Sequence, residues 1–286
     1  MGTMDNYLSA TVRIQTTVPA TLYHYCSTDR LHFLLEPGAD LCCRNLTCQG
    51  DREEYRFGAK LLCDYIRHKG SVYRGAGDVI ESNLAGNIGC VGQKIVGPVI
   101  PLTFSLTERI DSEYHYHEYC KDSGCAIAFD QAKLDEACNE VVKQGVSLRL
   151  IRCYYEEKDA TEIATLCEAF WQNQCQNIDC LLRSNYTDER AGKSVLSAIC
   201  SIAPHFKRKD YFYDNEWRLV MIVNECDGIN DQGFKASGLR DATPHGDLVD
   251  LMEGVAVRRG ETHAAAMREL SRFALQQRKR DFEVII

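Results

Sequence analysis

Strand-like apolar runs and helix-period segments alternate along this chain at irregular intervals, and that order limits its fold more than any single motif does. "VIPLTFS" (99–105), "GCAIAFD" (124–130) and "VSLRLIRCYY" (146–155) have strand length and apolar character, as does the run after Glu216 in "YFYDNEWRLVMIV" (211–223). Between two of them, "QAKLDEACNEVVKQG" (131–145) repeats Leu134, Ala137, Cys138, Val141 and Val142 on one helical face. Near the start, "TLYHYCS" (21–27) reads as a strand, and "TDRLHFLLEPG" (28–38) as a short helix with Thr28 as N-cap and a Pro-Gly stop. "EEYRFGAKLLCDYIRHKG" (53–70) places Tyr55, Leu61, Leu62, Tyr65 and Ile66 at helical spacing and ends on a glycine suited to a helix C-terminus. The stretch from Ser71 to Gly97 carries six glycines without strong periodicity, which predicts a long loop with one embedded helical turn. Helices are expected around 160–182, 188–203 and 263–278, with "GVAVRRG" (254–260) before the last and a closing strand in "FEVII" (282–286).

Because strands and helices do not follow one another with regular βαβ spacing, the expected class is α+β. The expected core is a mixed, mainly antiparallel sheet with flanking helices. A single domain over 1–286 is expected, with a helical subregion over 156–205.

Hydrophobic residues make up 45% and charged residues 26% of the chain, which suits a sizeable buried core. A formal charge of -8 gives no global attraction to nucleic acid or anionic lipid. The 15 cysteines are scattered among predicted helices and strands instead of framing short loops, which points to a reducing, cytoplasmic setting. "MGTMDNYLSA" has no basic segment leading into an apolar one, and Asn6 stands where a myristoylation signal takes Ser or Thr. No apolar run approaches the ~20 residues of a membrane-spanning helix.

Several motifs fail on their chemistry. "ERAGKS" (189–194) ends like a phosphate-binding loop, but Thr187 replaces its first glycine and no apolar strand leads into it. The Gly-rich stretch lacks the G-x-G-x-x-G spacing that lets backbone amides approach a pyrophosphate. "HYHEYCKDSGC" (115–125) gathers His115, His117, Cys120 and Cys125, all capable zinc ligands. No C-x-x-C accompanies them, so the favoured reading is metal-free loop and strand residues flanking a pocket. Cys42, Cys43 and Cys48 read as small buried apolar residues.

Four segments in order, "LYHYCS", "CCRNLTCQGDREEY", "TFSLTERIDSEYHYHEYCKDSGCAIAFD" and "NEWRLV", resemble a broad family of bacterial and phage proteins described only as a domain of unknown function. That family opens on an aromatic/His strand, continues through an Asn-Asp-x-x-Glu turn, a Phe-Ser strand, Trp-Arg-x-Tyr and Gly-x-x-x-x-Phe-Asp, and ends on a Glu-Trp-Arg strand. Here Gly50 replaces the Asn while Asp51 and Glu54 match, and Tyr116 and His117 stand for Trp and Arg.

The same order also resembles the ADP-ribosyltransferase pattern, and that resemblance implies an ADP-ribosyltransferase-like fold with NAD as substrate. His24, Ser105 and Glu216 take its three places. Glu216 would be catalytic, accepting the ribose hydroxyl proton and stabilising an oxocarbenium-like cation as the nicotinamide–ribose bond breaks. His24 would bind the adenosine-side ribose, Ser105 would brace the site, and Tyr25 or Tyr119 would stack on nicotinamide. The expected function is then an NAD-consuming enzyme, a toxin or defence effector, acting on a macromolecular acceptor, with protein slightly favoured over nucleic acid. An antitoxin or other partner protein belongs to that picture, and a membrane does not. The alternative is a non-catalytic domain of the same fold that binds a nucleotide or a partner protein. The residues also have bland readings: Glu216 and Arg218 as a surface ion pair around a core Trp217, His24 as a half-buried strand histidine, and Asp51 and Glu54 as acids capping the helix near Glu53.

Overall fold

The computed structural model describes residues 19–36, 39–46, 53–87, 89–91, 94–96, 99–110, 112–120, 124–143, 147–224, 234–235, 248–257 and 283–285. In chain order its regular elements begin with β1 (Thr21–Ser27), α1 (Thr28–Leu35), β2 (Cys42–Asn45), α2 (Glu53–His68) and α3 (Ser71–Asn87). Next come β3 (Gly89–Val91), β4 (Lys94–Val96), β5 (Val99–Thr107), α4 (Glu113–Cys120), β6 (Gly124–Asp130) and α5 (Gln131–Lys143). The second half carries β7 (Ser147–Arg152), β8 (Tyr154–Tyr155), α6 (Ala160–Arg183), α7 (Glu189–Ile202), β9 (Phe206–Lys207) and β10 (Glu216–Asn224). Last are β11 (Phe234–Lys235), β12 (Met252–Val257) and β13 (Glu283–Ile285). The predicted helix over 263–278 and the turn residues Gly50 and Asp51 lie outside the described residues.

The fold is mixed α+β around a nine-stranded, mainly antiparallel sheet. Alternation along β10 shows why both of its faces are covered. Trp217, Leu219 and Met221 enter a core shared with α1 and α5, through Leu31, Leu34, Leu134 and Cys138. Val220 and Ile222 enter a second core, built by α2, α3, α6 and α7 through residues such as Leu62, Ile80, Phe170 and Ile199. In antiparallel strands successive side chains point to opposite faces, so this two-sided burial yields the near-continuous apolar run of the sequence.

β5 pairs with β10 along its whole length, from Val99↔Asn224 to Thr107↔Glu216. On its other side it meets β2 at Arg44↔Thr103 and Asn45↔Leu102, and β1 only at Tyr23↔Thr107. β1 instead follows β6 for all seven of its residues. The sheet therefore parts between β1 and β5 beyond Tyr23, leaving a wedge whose walls are two strands.

Three local expectations are corrected. Residues 71–87 form α3, a helix rather than a loop. Ala76, Ile80 and Leu84 are buried at four-residue intervals, and Gly77 lets α3 approach α2, because a Cβ there would lie 2.6 Å from Arg67 Cγ and 2.9 Å from the Cys63 carbonyl. Residues 113–120 form α4, not loop or strand, because Tyr116 and Cys120 pack with Tyr25, Ala126 and Ala256 over β1, β6 and β12. The N-cap of α1 is Ser27, whose hydroxyl accepts from the Arg30 amide, one residue earlier than predicted. No helix among the described residues is long and apolar enough to cross a membrane.

Candidate functional site

A cavity of about 70 Å³ opens in the wedge. Its first wall is β1, with Tyr23, His24 and Tyr25, and its second is the end of β5, with Ser105, Leu106 and Thr107. α4 contributes His115 and Tyr119, and the entry to β10 contributes Asp214 and Glu216. His24, Tyr25, Ser105, Tyr119 and Glu216, which are far apart in sequence, thus line one cavity. One buried water needs roughly 10–15 Å³ by this measure, so the space suits a single small ring and leaves the remainder of a dinucleotide outside.

The floor is a buried ion network. Glu216 is 6% exposed and Arg218 1% exposed. In-register pairing puts Glu216 opposite Thr107 and Arg218 opposite Ser105, on the face covered by α2. Arg218 Nε donates to Glu216 Oε1 at 2.8 Å and Nη2 to Oε2 at 3.1 Å, while Nη2 also reaches Glu54 Oε1 at 2.5 Å and Nη1 the Pro204 carbonyl at 2.8 Å. Lys207 Nζ donates to Glu216 Oε2, to Asp214 Oδ2 at 2.6 Å, and pairs with Glu54 Oε1 at 3.2 Å. Burial alone would push the Glu216 carboxyl up, but Arg218 and Lys207 outweigh it and hold that carboxyl well below the usual carboxylate range. Burial pushes Asp214 up, and Lys207 offsets this only in part. Asp214 Oδ1 is buried with no hydrogen-bond partner among the described residues. Three acids thus meet two cations, a formal excess of one negative charge beside the cavity.

The aromatic wall has two kinds of ring. His24 stacks on Phe104 at 4.1 Å, and its Nδ1 donates to the Ser105 carbonyl at 2.9 Å, a bond that ties the two walls. Because a carbonyl only accepts, the proton sits on Nδ1 and Nε2 is left as an acceptor. Burial lowers this imidazole to about 4, so it is neutral at physiological pH. His115 is likewise lowered to about 4, first by burial and then by Arg109. It stacks on Tyr25 at 5.0 Å and shares a 2.7 Å hydrogen bond with the Ser112 hydroxyl. The Tyr25 hydroxyl donates to the Arg109 carbonyl at 3.0 Å and accepts from the Ser112 amide at 3.1 Å, which fixes the entry to α4. Tyr25, 6% exposed, is therefore packed as a brace, whereas Tyr119 keeps 51% of its surface exposed.

Two of the bland readings are corrected by these contacts. The Glu216–Arg218 pair is interior, not a surface pair, because β10 is covered on both faces. Glu54 does not cap α2 from outside: its carboxylate joins Arg218 and Lys207. Sequence reasoning missed Lys207 and Asp214 altogether. Asp214 precedes β10 and meets Glu216 across the left-handed Asn215, so strand alternation does not mark it, and Lys207 in "HFKRKD" carries no signal either. The four zinc-capable residues do not converge: His117 is exposed beside Glu118, and Cys120 Sγ donates to the Cys125 carbonyl at 3.7 Å. Among the described residues no three His, Cys, Asp or Glu side chains form a metal-binding group.

Residues 116–219 match the family model described as "Protein of unknown function (DUF2971)". The match runs from α4 to β10, taking in Tyr119, Lys207, Asp214 and Glu216; it agrees with the resemblance to a family of unknown function and covers most of the third and fourth segments, while the first two, with His24 and Tyr25, and Ser105 lie outside it. No curated protein and no solved structure matches the chain.

Proposed function

We propose that the wedge cavity receives the nicotinamide–ribose end of NAD and cleaves the bond between them, an ADP-ribosyltransferase-like activity on an ADP-ribosyltransferase-like fold. The observation that carries this reading is that His24, Ser105 and Glu216 line one cavity beside a network with excess negative charge. The nicotinamide of NAD is a cationic ring. A small cavity with aromatic walls, two carboxylates and no Lys or Arg in its lining suits such a ring better than it suits a phosphate.

The structure sharpens the part Glu216 would take. A carboxylate has about four acceptor sites, and three here are filled by Arg218 Nε, Arg218 Nη2 and Lys207 Nζ. One site on Oε1 remains for a ribose hydroxyl. Held ionised, Glu216 acts as a fixed anion that accepts that hydrogen bond and stabilises the positive charge developing on the ribose, without taking up the proton. The electron pair of the breaking bond leaves with nicotinamide. Tyr119 supplies the exposed ring for stacking. The phosphates and the adenosine lie outside, and the final acceptor is a macromolecule, with protein favoured by the chain's charge of -8.

The second reading, a non-catalytic domain binding a nucleotide or a partner protein, draws on the same contacts, because a carboxylate gripped by two cations is also how a structural ion network looks. Purified protein incubated with labelled NAD, alone and with cell extract, separates the two. Nicotinamide release that falls roughly 100-fold in Glu216→Gln is the expected result. NAD binding without release or label transfer would establish the second reading, and neither binding nor release would sink both.

A further inference from the structure

We infer that Lys207 is the positioning residue of the cavity: from behind the wall, its ammonium bridges Asp214 and Glu216 and holds the two carboxylates side by side as neighbouring anions. This deepens the reading above and rests on it for its catalytic consequence only. Lys207 is not among the residues that line the cavity, yet its Nζ contacts both lining carboxylates. Arg218 touches Glu216 but makes no contact with Asp214. Among the described residues, Lys207 alone therefore joins the two acids.

The fold fixes this lysine from its backbone. β9 runs parallel to β8 with Lys207 opposite Tyr155, and the Lys207 carbonyl accepts from the Glu156 amide at 3.1 Å. The Tyr155 hydroxyl accepts from the Glu216 amide at 2.8 Å, so the element that seats Lys207 also seats the first residue of β10. Between the acids, Asn215 takes a left-handed backbone with φ 39°, a conformation that asparagine tolerates better than most residues. Such a turn brings residues 214 and 216 to one site, where two carboxylates without a shared cation repel, and one of them takes up a proton.

The charged and titratable groups around the ammonium come from each element packed on it. Glu54 reaches it from α2, and Arg218 lies beyond Glu216. Tyr211 offers its ring face at 5.1 Å, and α4 sets Tyr114, His115 and Tyr119 within electrostatic range. Cys153 and Tyr155 complete the set. Glu216, Glu54 and Asp214 together more than offset the burial that would lower the ammonium, so Lys207 stays charged.

The test follows the carboxyl groups directly, by NMR of protein labelled at its Asp and Glu carboxyls, from about pH 4 to about pH 8. In Lys207→Met, one of the two lining carboxyls is expected to bind its proton at least tenfold more tightly than in the wild type, and Lys207→Met/Asp214→Asn, which leaves Glu216 as the single lining acid and paired with Arg218, is expected to abolish that change. Wild-type titration in Lys207→Met, or the same change in the double variant, overturns the inference. Should Lys207→Met fail to fold, Glu216→Gln decides: Asp214, raised in the wild type partly by the neighbouring Glu216 anion and then sharing Lys207 with Glu54 only, must titrate lower than in the wild type, and an unchanged titration refutes the proposal. On activity, the acid limb of the pH profile for nicotinamide release is expected to move up in Lys207→Met, and a lysine that only stabilised the fold would leave that limb in place. A wild type that releases no nicotinamide ends the functional reading, while the titration still decides the role of Lys207.

Discussion

Replacing Arg218 by Met separates a buried ion network from an ornamental one. The guanidinium makes four hydrogen bonds, two to Glu216, one to Glu54 and one to the Pro204 carbonyl, at 1% exposure. Methionine fills much of the same volume but donates nothing. Glu54, Asp214 and Glu216 would then share Lys207 alone, two negative charges in excess in a water-poor site. Removing one partner of a buried pair costs about 3–5 kcal/mol, because the remaining charge is left uncompensated. Against a usual stability of about 5–15 kcal/mol this is a large fraction. It corresponds to a fall in melting temperature of roughly 6–20 °C for a chain of this size. Urea unfolding followed by the fluorescence of Trp217, which sits beside Arg218 on β10, measures it directly. Neutralising the stranded acids as well, in Arg218→Met/Glu54→Gln/Glu216→Gln, should return most of the loss, since Lys207 and Asp214 remain as a matched pair. A loss below about 1 kcal/mol in the single variant would mean that water screens the pair as it does on a surface. A triple variant no more stable than the single one would equally refute the charge account.

Two further outcomes test the frame around the site. Gly58 in α2 lies against the turn that presents the Pro204 carbonyl, and a Cβ there would stand 2.2 Å from the Ala203 carbonyl oxygen and 2.9 Å from its carbon. Gly58→Ala should therefore destabilise by about 1–3 kcal/mol despite the better helix propensity of alanine, and a raised urea midpoint would contradict this. The pH dependence has a definite sign. His24, His115 and His205 are each lowered to about 4, mainly by burial, while the unfolded chain titrates them near 6.5. Between those values the unfolded state binds more protons, so stability falls as pH falls, by at most about 1.4 kcal/mol per pH unit for each histidine. Glu216, held low, contributes stability that is present above its ordinary value of 4.5 and lost only as pH falls further. Asp214, held high, works in the opposite direction and offsets part of that. A urea midpoint that stays flat from about pH 7 to about pH 5 would show that the histidines are not held neutral.

Much of the secondary structure was legible because it rests on local pattern. The runs at β5, β6, β7 and β10 and the periodic faces of α2 and α5 are statements about neighbouring side chains, and the chain obeys them. α3 was misread because its glycines look like punctuation, whereas Gly77 serves close packing against α2 and the spacing of Ala76, Ile80 and Leu84 carried the true signal. The wedge could not be read at all. It depends on β1 leaving β5 after the Tyr23↔Thr107 pair, a choice of partner made across most of the sheet. Nor could Glu54 and Lys207 be placed: a charged side chain in a sequence is presumed solvated, and only the three-dimensional convergence of five such groups makes burial tolerable.

That convergence bears on whether the acid at the mouth of β10 belongs to the fold or to a ligand. Alternation along the strand puts residues 216 and 218 on one face, and α2 covers that face, so a carboxylate at 216 must be paired if it is to remain there. Arg218, from the same strand, would suffice for pairing: its fork already engages both oxygens of Glu216. Arg218 and Glu216 by themselves close at equal charge. The network continues to Lys207 and then to a third acid, Asp214, whose Oδ1 has no hydrogen-bond partner among the described residues although the residue is 3% exposed. The surplus acid accepts one Lys207 donor at 2.6 Å, but its other oxygen is buried without a partner among the described residues, and that burial carries a cost. On the reading proposed above, that surplus sets negative potential on the wall of a cavity otherwise lined by aromatic rings, hydroxyls and Leu106, and a cationic ring would supply the balancing charge.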